Sequence, residues 1–125
     1  MSEIVAEFTI ELQPITKKNS QRILKNWRTG KRFIGQSEQY KQYEKDAVWF
    51  LKPLGIDYPV NVKAVFYLGR KNRTDLANLN SALHDVLVAA GTVVDDHCRI
   101  IYSTDGSHVE YDKEQPRTEV TITKI

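Results

Sequence analysis

The sequence predicts a fold of the α/β type, in its α+β form: a single domain over residues 1–125 in which a mixed β-sheet packs against two main helices. Three observations support this prediction. Apolar and polar residues alternate near both ends and in the middle of the chain, as in strands with one buried face. Two segments between them space their apolar residues as helices do. A chain of 125 residues with 41% hydrophobic content can fill one core, but not comfortably two.

The first predicted strand covers residues 3–13, in which every second residue is apolar. Pro14 ends this strand, and a basic loop extends to Gly35. Within that loop, Arg32–Ile34 is compatible with a short strand. The residues predicted to face the core from the first strand are Ile4, Ala6, Phe8, Ile10 and Leu12.

The first predicted helix begins after Ser37, a suitable N-cap, and ends at Pro53-Leu54-Gly55. A second long strand is predicted over residues 59–69, where Val, Phe and Tyr are frequent. The chain therefore continues from strand to helix to strand.

From Asp75 the apolar spacing becomes that of a helix, and Gly91 closes it. Thr74 or Asp75 is the predicted N-cap. Strands at residues 99–103 and 117–125, joined through a polar stretch, complete the predicted order β-α-β-α-β-β.

Several protein classes are disfavoured by composition. The lone cysteine, Cys98, excludes an intrachain disulfide and is predicted to pack inside, and no Cys/His spacing suggests zinc. The N-terminus lacks the order of a signal peptide, and no apolar run approaches the ~20 residues of a membrane span. We therefore expect a reducing, cytoplasmic setting.

Lys and Arg are unevenly distributed, although the net charge is only +2 and the pI about 8.6. Ten of the eighteen lie in two short stretches, and the first stretch has no acid. Such runs are often solvated loop charges, but Lys and Arg also bind phosphates, and a tryptophan between them can stack on a base. The residues predicted to contact nucleic acid are Lys17, Lys18, Arg22, Lys25, Trp27, Arg28, Lys31, Arg32, Arg70, Lys71 and Arg73.

Acidic residues stand directly beside the second basic stretch, in RTDLANL. Capping and the helix dipole favour Asp75 at a helix start by about 1 kcal/mol, which is the structural alternative. The functional alternative is a carboxylate that holds Mg²⁺ among phosphate-binding cations. The pair Asp95-Asp96, about twenty residues later, is the candidate second ligand or else a solvated turn. Asp85 is too far along the helix, by ~15 Å of rise, to share a metal with Asp75.

The three histidines, His84, His97 and His108, have no partner at ligand spacing. His84 also falls off the apolar stripe of the second helix. We predict that all three are ordinary polar residues rather than general bases.

The acidic and basic motifs resemble those of the RusA-type Holliday junction resolvases, small homodimeric endonucleases of phages and prophages. The combination of D-L-x-N-L with D-D about twenty residues later is fairly specific. The resemblance covers nearly the whole chain in the expected order, through Arg73–Leu79, Asp85–Leu87, Gly91 and Val94–Asp96, and more weakly through Lys18-Asn19, Gln36–Tyr40, Asp105–Ser107, Tyr111–Lys113 and Arg117–Glu119.

The resemblance implies a homodimer that binds four-way DNA junctions and cuts paired strands with magnesium held by carboxylates, in a bacterial or phage-infected cell. Asp75 and Asp96 match metal ligands. The best-known members carry a second Asp where this chain has Ala77, and a Lys where it has Ser81. Ala77 marks an engineered inactivation, a natural subgroup that uses Asp75, Asp95 and Asp96, or lost activity.

We expect one Mg²⁺, with Mn²⁺ as a substitute, to be held by Asp75 and Asp96 with the assistance of Asp95. Lys71 and Arg73 would steady the scissile phosphate. Three other functions stay open: a branched-DNA binding module without nuclease activity, a structural or protein-interaction domain, and a nuclease for RNA or flaps. Loss of cleavage with retained binding on mutating Asp75 separates an enzyme from a binding module, and salt-sensitive DNA affinity separates both from a structural domain.

Overall fold

The structure, a computed structural model, describes residues 3–16, 21–25, 28, 32–36, 38–71 and 73–125. Within these ranges three strands precede the first helix, one strand separates the two helices and three strands follow, with a short 3₁₀ turn, Val48–Phe50, after the first helix. The elements are β1 (Ile4–Ile10), β2 (Gln21–Lys25), β3 (Arg32–Gln36), α1 (Glu38–Ala47), β4 (Val60–Leu68), α2 (Leu76–Ala89), β5 (Ile101–Ser103), β6 (His108–Tyr111) and β7 (Arg117–Lys124).

The main sheet has five strands and is mixed, with the order β1-β7-β4-β5 and with β6 also paired to β4. β7 lies antiparallel to both β1 and β4. β5 and β6 both run parallel to β4: β5 pairs at its beginning, where Val60 faces Ile101, and β6 at its end, where Leu68 faces Tyr111. The hairpin of β2 and β3 forms a separate two-stranded sheet.

The hydrophobic core lies between one face of the sheet and the two helices. Alternate residues of β4 are buried because successive side chains of a strand point to opposite faces. Helical spacing in α2 directs its apolar stripe at the same core. The buried residues of these two elements on the core side are Val60, Val62, Ala64, Phe66, Leu68, Leu79, Ala82, Leu83, Val86 and Leu87.

The predicted α+β class, mixed sheet and two main helices are confirmed. The structure adds three strands to the predicted order: β2 and β3 within the basic loop, of which β3 includes the possible short strand Arg32–Ile34, and β6 within the polar stretch. β6 is mostly exposed, so its sequence does not alternate apolar and polar residues as a half-buried strand does. It is recognised as a strand only by its pairing with β4. The prediction that Cys98 packs inside is wrong, because it is exposed in the turn before β5. The predicted cap Ser37 lies outside the described residues.

Among the described residues, no helix is both long enough and apolar enough to cross a membrane.

Candidate functional site

The candidate site lies where β4 ends and α2 begins. The parallel strands β4 and β6 finish at the same edge of the sheet, and the N–H of Asp112 donates to the carbonyl of Leu68 at 2.9 Å. The segment 69–75 then leads directly into α2. Ligands commonly bind beyond the carboxyl ends of parallel strands, and the positive end of a helix dipole favours an anion there.

Gly69 is held in place by two other parts of the chain. Its N–H donates to Oε1 of Gln13 at 3.1 Å. A Cβ at this position would lie 2.8 Å from that oxygen and 3.0 Å from Cγ of Pro116. Only glycine allows this approach without movement of its neighbours, and the contacts fix the starting point of the basic segment that follows.

Arg117 anchors the loop that carries Pro116. Its Nε donates to Glu119 at 2.7 Å, and its Nη1 donates to Asp112 at 2.8 Å and to the carbonyl of Gln115 at 3.0 Å. Its guanidinium also lies 3.8 Å from the ring centroid of Tyr67. The hydrogen bond from Arg117, with those from the backbone after Asp112, lowers the pKa of the Asp112 carboxyl.

Replacing Asp112 with asparagine is therefore expected to lower the melting temperature at pH 7. The melting temperature of the variant should also fall less than that of the wild type as the pH is lowered. The depressed pKa lies below the ordinary value of 3.8, so the stabilisation is complete above that value and is lost as the pH falls through the folded pKa. Thermal unfolding between pH 7 and pH 3 measures both effects. Asp57→Asn, at an exposed acid before β4, is the control; equal pH profiles for the two variants would contradict the role of Arg117.

Of the two predicted N-cap residues, Thr74 and Asp75, it is Asp75 that occupies the N-cap position of α2, but its carboxylate does not cap the helix. The main-chain carbonyl of Asp75 instead accepts the N–H groups of Asn78 and Leu79, both at 3.1 Å. Among described residues, the carboxylate receives one long hydrogen bond, from Nδ2 of Asn78 at 3.4 Å. The exposed carboxylate thus keeps most of its capacity to bind a cation, and capping does not account for it.

Asp95 and Asp96 lie on the exposed segment that follows α2. The N–H of Val94 donates to the carbonyl of Ile56 at 3.0 Å, which anchors the start of this segment. Oδ1 of Asp95 accepts the N–H of Asp96 at 2.7 Å, so Asp95 orients its neighbour. The negative charge of Asp96 raises the pKa of His84, against the larger and opposite effect of burial.

No group of three or more His, Cys, Asp or Glu side chains that could hold a metal ion occurs in the described part of the chain. Asp75, Asp95 and Asp96 all fall within that part, and the structure does not gather them into one cluster. Exposed carboxylates nevertheless suit a hard cation that keeps its waters and takes one or two protein ligands. Each carboxylate can therefore serve singly as a ligand of a hydrated divalent cation, and the three do not form a cage around one ion.

His84, and Asn80, to which the sequence assigned no role, each carry a polar atom that is shielded from solvent. Both are half-buried on α2, and Nε2 of His84 and Oδ1 of Asn80 are shielded from solvent without a hydrogen-bond partner among described residues. Burial lowers the pKa of His84, against the opposite effects of Asp96 and Asp85. The sequence shows only two polar residues four apart that border an apolar stripe, and this spacing does not reveal that their atoms are shielded.

The predicted DNA-contacting residues divide into three groups. Arg28, Arg70, Lys71 and Arg73 are exposed, and Nζ of Lys71 lies 5.9 Å from the ring centroid of Tyr111, a residue to which the sequence assigned no role. The backbones of Arg22, Lys25 and Arg32 lie on the β2–β3 hairpin. Lys17, Lys18, Trp27 and Lys31 fall outside the described residues.

Ala77 and Ser81 are both exposed on α2, in the turns that follow Asp75. A longer side chain at either position would therefore reach solvent without disturbing the core. The region of the missing acid and base is open on the surface of the helix.

A family model described as endodeoxyribonuclease RusA matches residues 11–123. The match begins just after β1, ends within β7 and includes every residue of the candidate site. Comparison with curated proteins gives no match.

Proposed function

The chain belongs to the RusA endodeoxyribonuclease family, and we propose on this basis that it is a magnesium-dependent endonuclease that resolves four-way DNA junctions as a homodimer. Members of this family are Holliday junction resolving endonucleases and generally depend on a divalent metal. The observation that carries the proposal is the exposed carboxylate of Asp75, which does not cap α2 and follows Lys71 and Arg73 in the segment between β4 and α2.

Asp75 and Asp96 would hold the divalent ion, and Asp95 would orient Asp96 through its hydrogen bond to the backbone. The bound ion supplies a Lewis acid for the phosphate and lowers the pKa of water. Mn²⁺ suits the same oxygen ligands as Mg²⁺. These assignments rest on the chemistry of the carboxylates and on the family.

Lys71 and Arg73 bind and orient the scissile phosphate in this proposal. Both are exposed at the start of α2, where the helix dipole adds to their positive charge. Cations placed at the phosphate also stabilise the charge that develops as the bond breaks. The contacts of Gly69 with Gln13 and Pro116 hold the beginning of this segment and thus reduce its freedom.

A four-way junction with two-fold symmetry needs two matched cuts, and a homodimer supplies two equivalent sites. Affinity would come from the basic segment 14–35 and from Arg70–Arg73, which present positive charge to phosphates. A DNA substrate also agrees with the expected cytoplasmic setting of a bacterial or phage-infected cell.

The test is incubation with a labelled synthetic four-way junction and a matching linear duplex, with Mg²⁺ and with EDTA. We expect symmetric nicks confined to the junction and none in EDTA, together with binding that weakens steeply as salt rises. Cleavage that survives EDTA would contradict the metal mechanism. RNA junctions and flaps, assayed in parallel, show whether another substrate is preferred.

A second candidate function is branched-DNA binding without cleavage. Ala77 and Ser81 favour it, because losing a carboxylate from a magnesium site removes a ligand and a negative charge. Junction-selective binding without nicks would support this function instead. A large gain of cleavage in Ala77→Asp would then show that the alanine is what limits activity.

A further inference from the structure

We propose that Tyr111 stacks on a nucleobase at the centre of the four-way junction and thereby helps the protein to distinguish a junction from a linear duplex. The inference rests on the proposed function and deepens it, because it concerns how the same site selects its DNA. The ligand is a base whose flat face lacks a stacked neighbour, and such bases occur at the branch point rather than within the arms.

The position of Tyr111 is the first observation. Tyr111 is the last residue of β6 and is 50% exposed. A single exposed aromatic residue is normal on a protein surface and by itself needs no explanation. This one is paired with Leu68, the last residue of the parallel strand β4, so it lies at the edge of the sheet where the candidate site begins. The segment 69–75, which carries the proposed phosphate-binding and metal-binding side chains, starts from the same edge.

The backbone on both sides of Tyr111 is held by hydrogen bonds, which is the second observation. Before it, β6 is paired with β4. Directly after it, the N–H of Asp112 donates to the carbonyl of Leu68 at 2.9 Å, and Oδ2 of Asp112 accepts Nη1 of Arg117 at 2.8 Å. A tyrosine side chain has only two torsion angles to fix, so a ring on such a support loses little freedom when it meets a ligand.

A cation beside the ring is the third observation. Nζ of Lys71 lies 5.9 Å from the ring centroid of Tyr111. A positive charge for a phosphate and a flat apolar surface for a base therefore lie side by side. A nucleotide carries both groups, joined through one sugar, and can meet both side chains at once. Proteins that bind unpaired nucleic acid combine basic groups along the backbone with aromatic rings under the bases in the same way.

The role in selectivity follows from what the two DNAs expose. A linear duplex and a junction both present phosphates, so a contact with a single phosphate does not distinguish them. Within a duplex each base is covered on both faces by its neighbours, whereas the pairs that flank an open branch point lose a neighbour on one side. Every base has a face on which an aromatic ring can stack, so this contact depends little on sequence. Tyr111 would therefore recognise the branch and not the base.

The test measures equilibrium binding of a labelled four-way junction and of a matching linear duplex in Ca²⁺. We expect Tyr111→Ala to bind the junction about 5- to 100-fold more weakly than wild type and the duplex within about 2-fold of wild type. Tyr111→Leu keeps apolar volume without a ring and should show the same loss, whereas Tyr111→Phe should bind as wild type does. Tyr102→Ala is the matched control, since Tyr102 is 65% exposed on β5, which pairs with the beginning of β4. It should keep wild-type affinity for both DNAs.

A fluorescent base gives a direct signal of stacking. 2-Aminopurine placed beside the branch point should emit less with saturating wild type or Tyr111→Phe than with saturating Tyr111→Ala, because stacking on an aromatic ring quenches it. Equal losses of junction and duplex binding in Tyr111→Ala would overturn the inference, as would an equal loss in Tyr102→Ala. If the wild type prefers the junction and Tyr111→Ala keeps that preference, the inference fails and the proposed function stands. If the wild type does not prefer the junction, both fail.

Discussion

Asp75→Asn is expected to abolish junction cleavage while leaving junction binding intact. Asparagine keeps the shape of the side chain but removes the negative charge that a divalent ion requires. The helix should be unaffected, because the carbonyl of Asp75, and not its carboxylate, accepts the N–H groups at the start of α2. Loss of an outer-shell partner typically costs 10- to 100-fold, so loss of a direct ligand should cost at least about 100-fold.

Single-turnover cleavage of a labelled junction measures the rate, and a gel-shift assay in Ca²⁺ or EDTA measures binding. Asp57→Asn applies the same chemical change at the other end of β4 and should cleave at the wild-type rate. Unchanged cleavage by Asp75→Asn would remove Asp75 from the mechanism. A parallel loss of binding would instead assign this carboxylate to DNA recognition or to folding.

Leu83→Ala is expected to reduce the free energy of unfolding by about 2–5 kcal/mol. Leu83 is only 1% exposed at the centre of the core, and its truncation leaves a cavity that the packed helix and sheet cannot fill. Domains of this kind are stable by roughly 5–15 kcal/mol, so the variant should retain only part of its stability.

Leu76→Ala is the matched control, since Leu76 begins the same helix and is 37% exposed. Urea unfolding followed by circular dichroism gives both values. The Leu83 variant should unfold at much lower urea with a similar slope, whereas the Leu76 variant should lie near wild type. Equal effects at the two positions would mean that α2 does not pack on the sheet as described.

The two central elements of the fold could be predicted because their periodicity is local. β4 alternates buried and exposed residues over most of its length, and α2 repeats its apolar residues at helical spacing. Both patterns arise from how successive side chains project from the backbone. β6 shows neither pattern, because its side chains are largely exposed and its pairing with β4 defines it.

The candidate site was predictable to a smaller extent. The sequence shows Asp75 beside a basic stretch and the acidic pair Asp95-Asp96 about twenty residues later, and the family match covers both. Whether the Asp75 side chain caps the helix depends on its rotamer and its neighbours, and the spacing of residues in the sequence does not predict either. The shielded atoms of Asn80 and His84 are equally invisible to periodicity, because burial at the border of an apolar stripe depends on what packs there.

By itself, the sequence determined the α+β class, the positions of its long strands and helices, and the nuclease family. The strands and helices follow from residue patterns along short stretches, and the family follows from motifs that occur in order along nearly the whole chain. Only the tertiary structure decided that Gln13, 56 residues away in sequence, braces Gly69, and that Arg117 secures the loop beside it. Contacts between such distant residues depend on how strands pair, and local patterns contain no information about that pairing. The tertiary structure also decided that the Asp75 carboxylate does not cap α2, because capping depends on the conformation of the side chain.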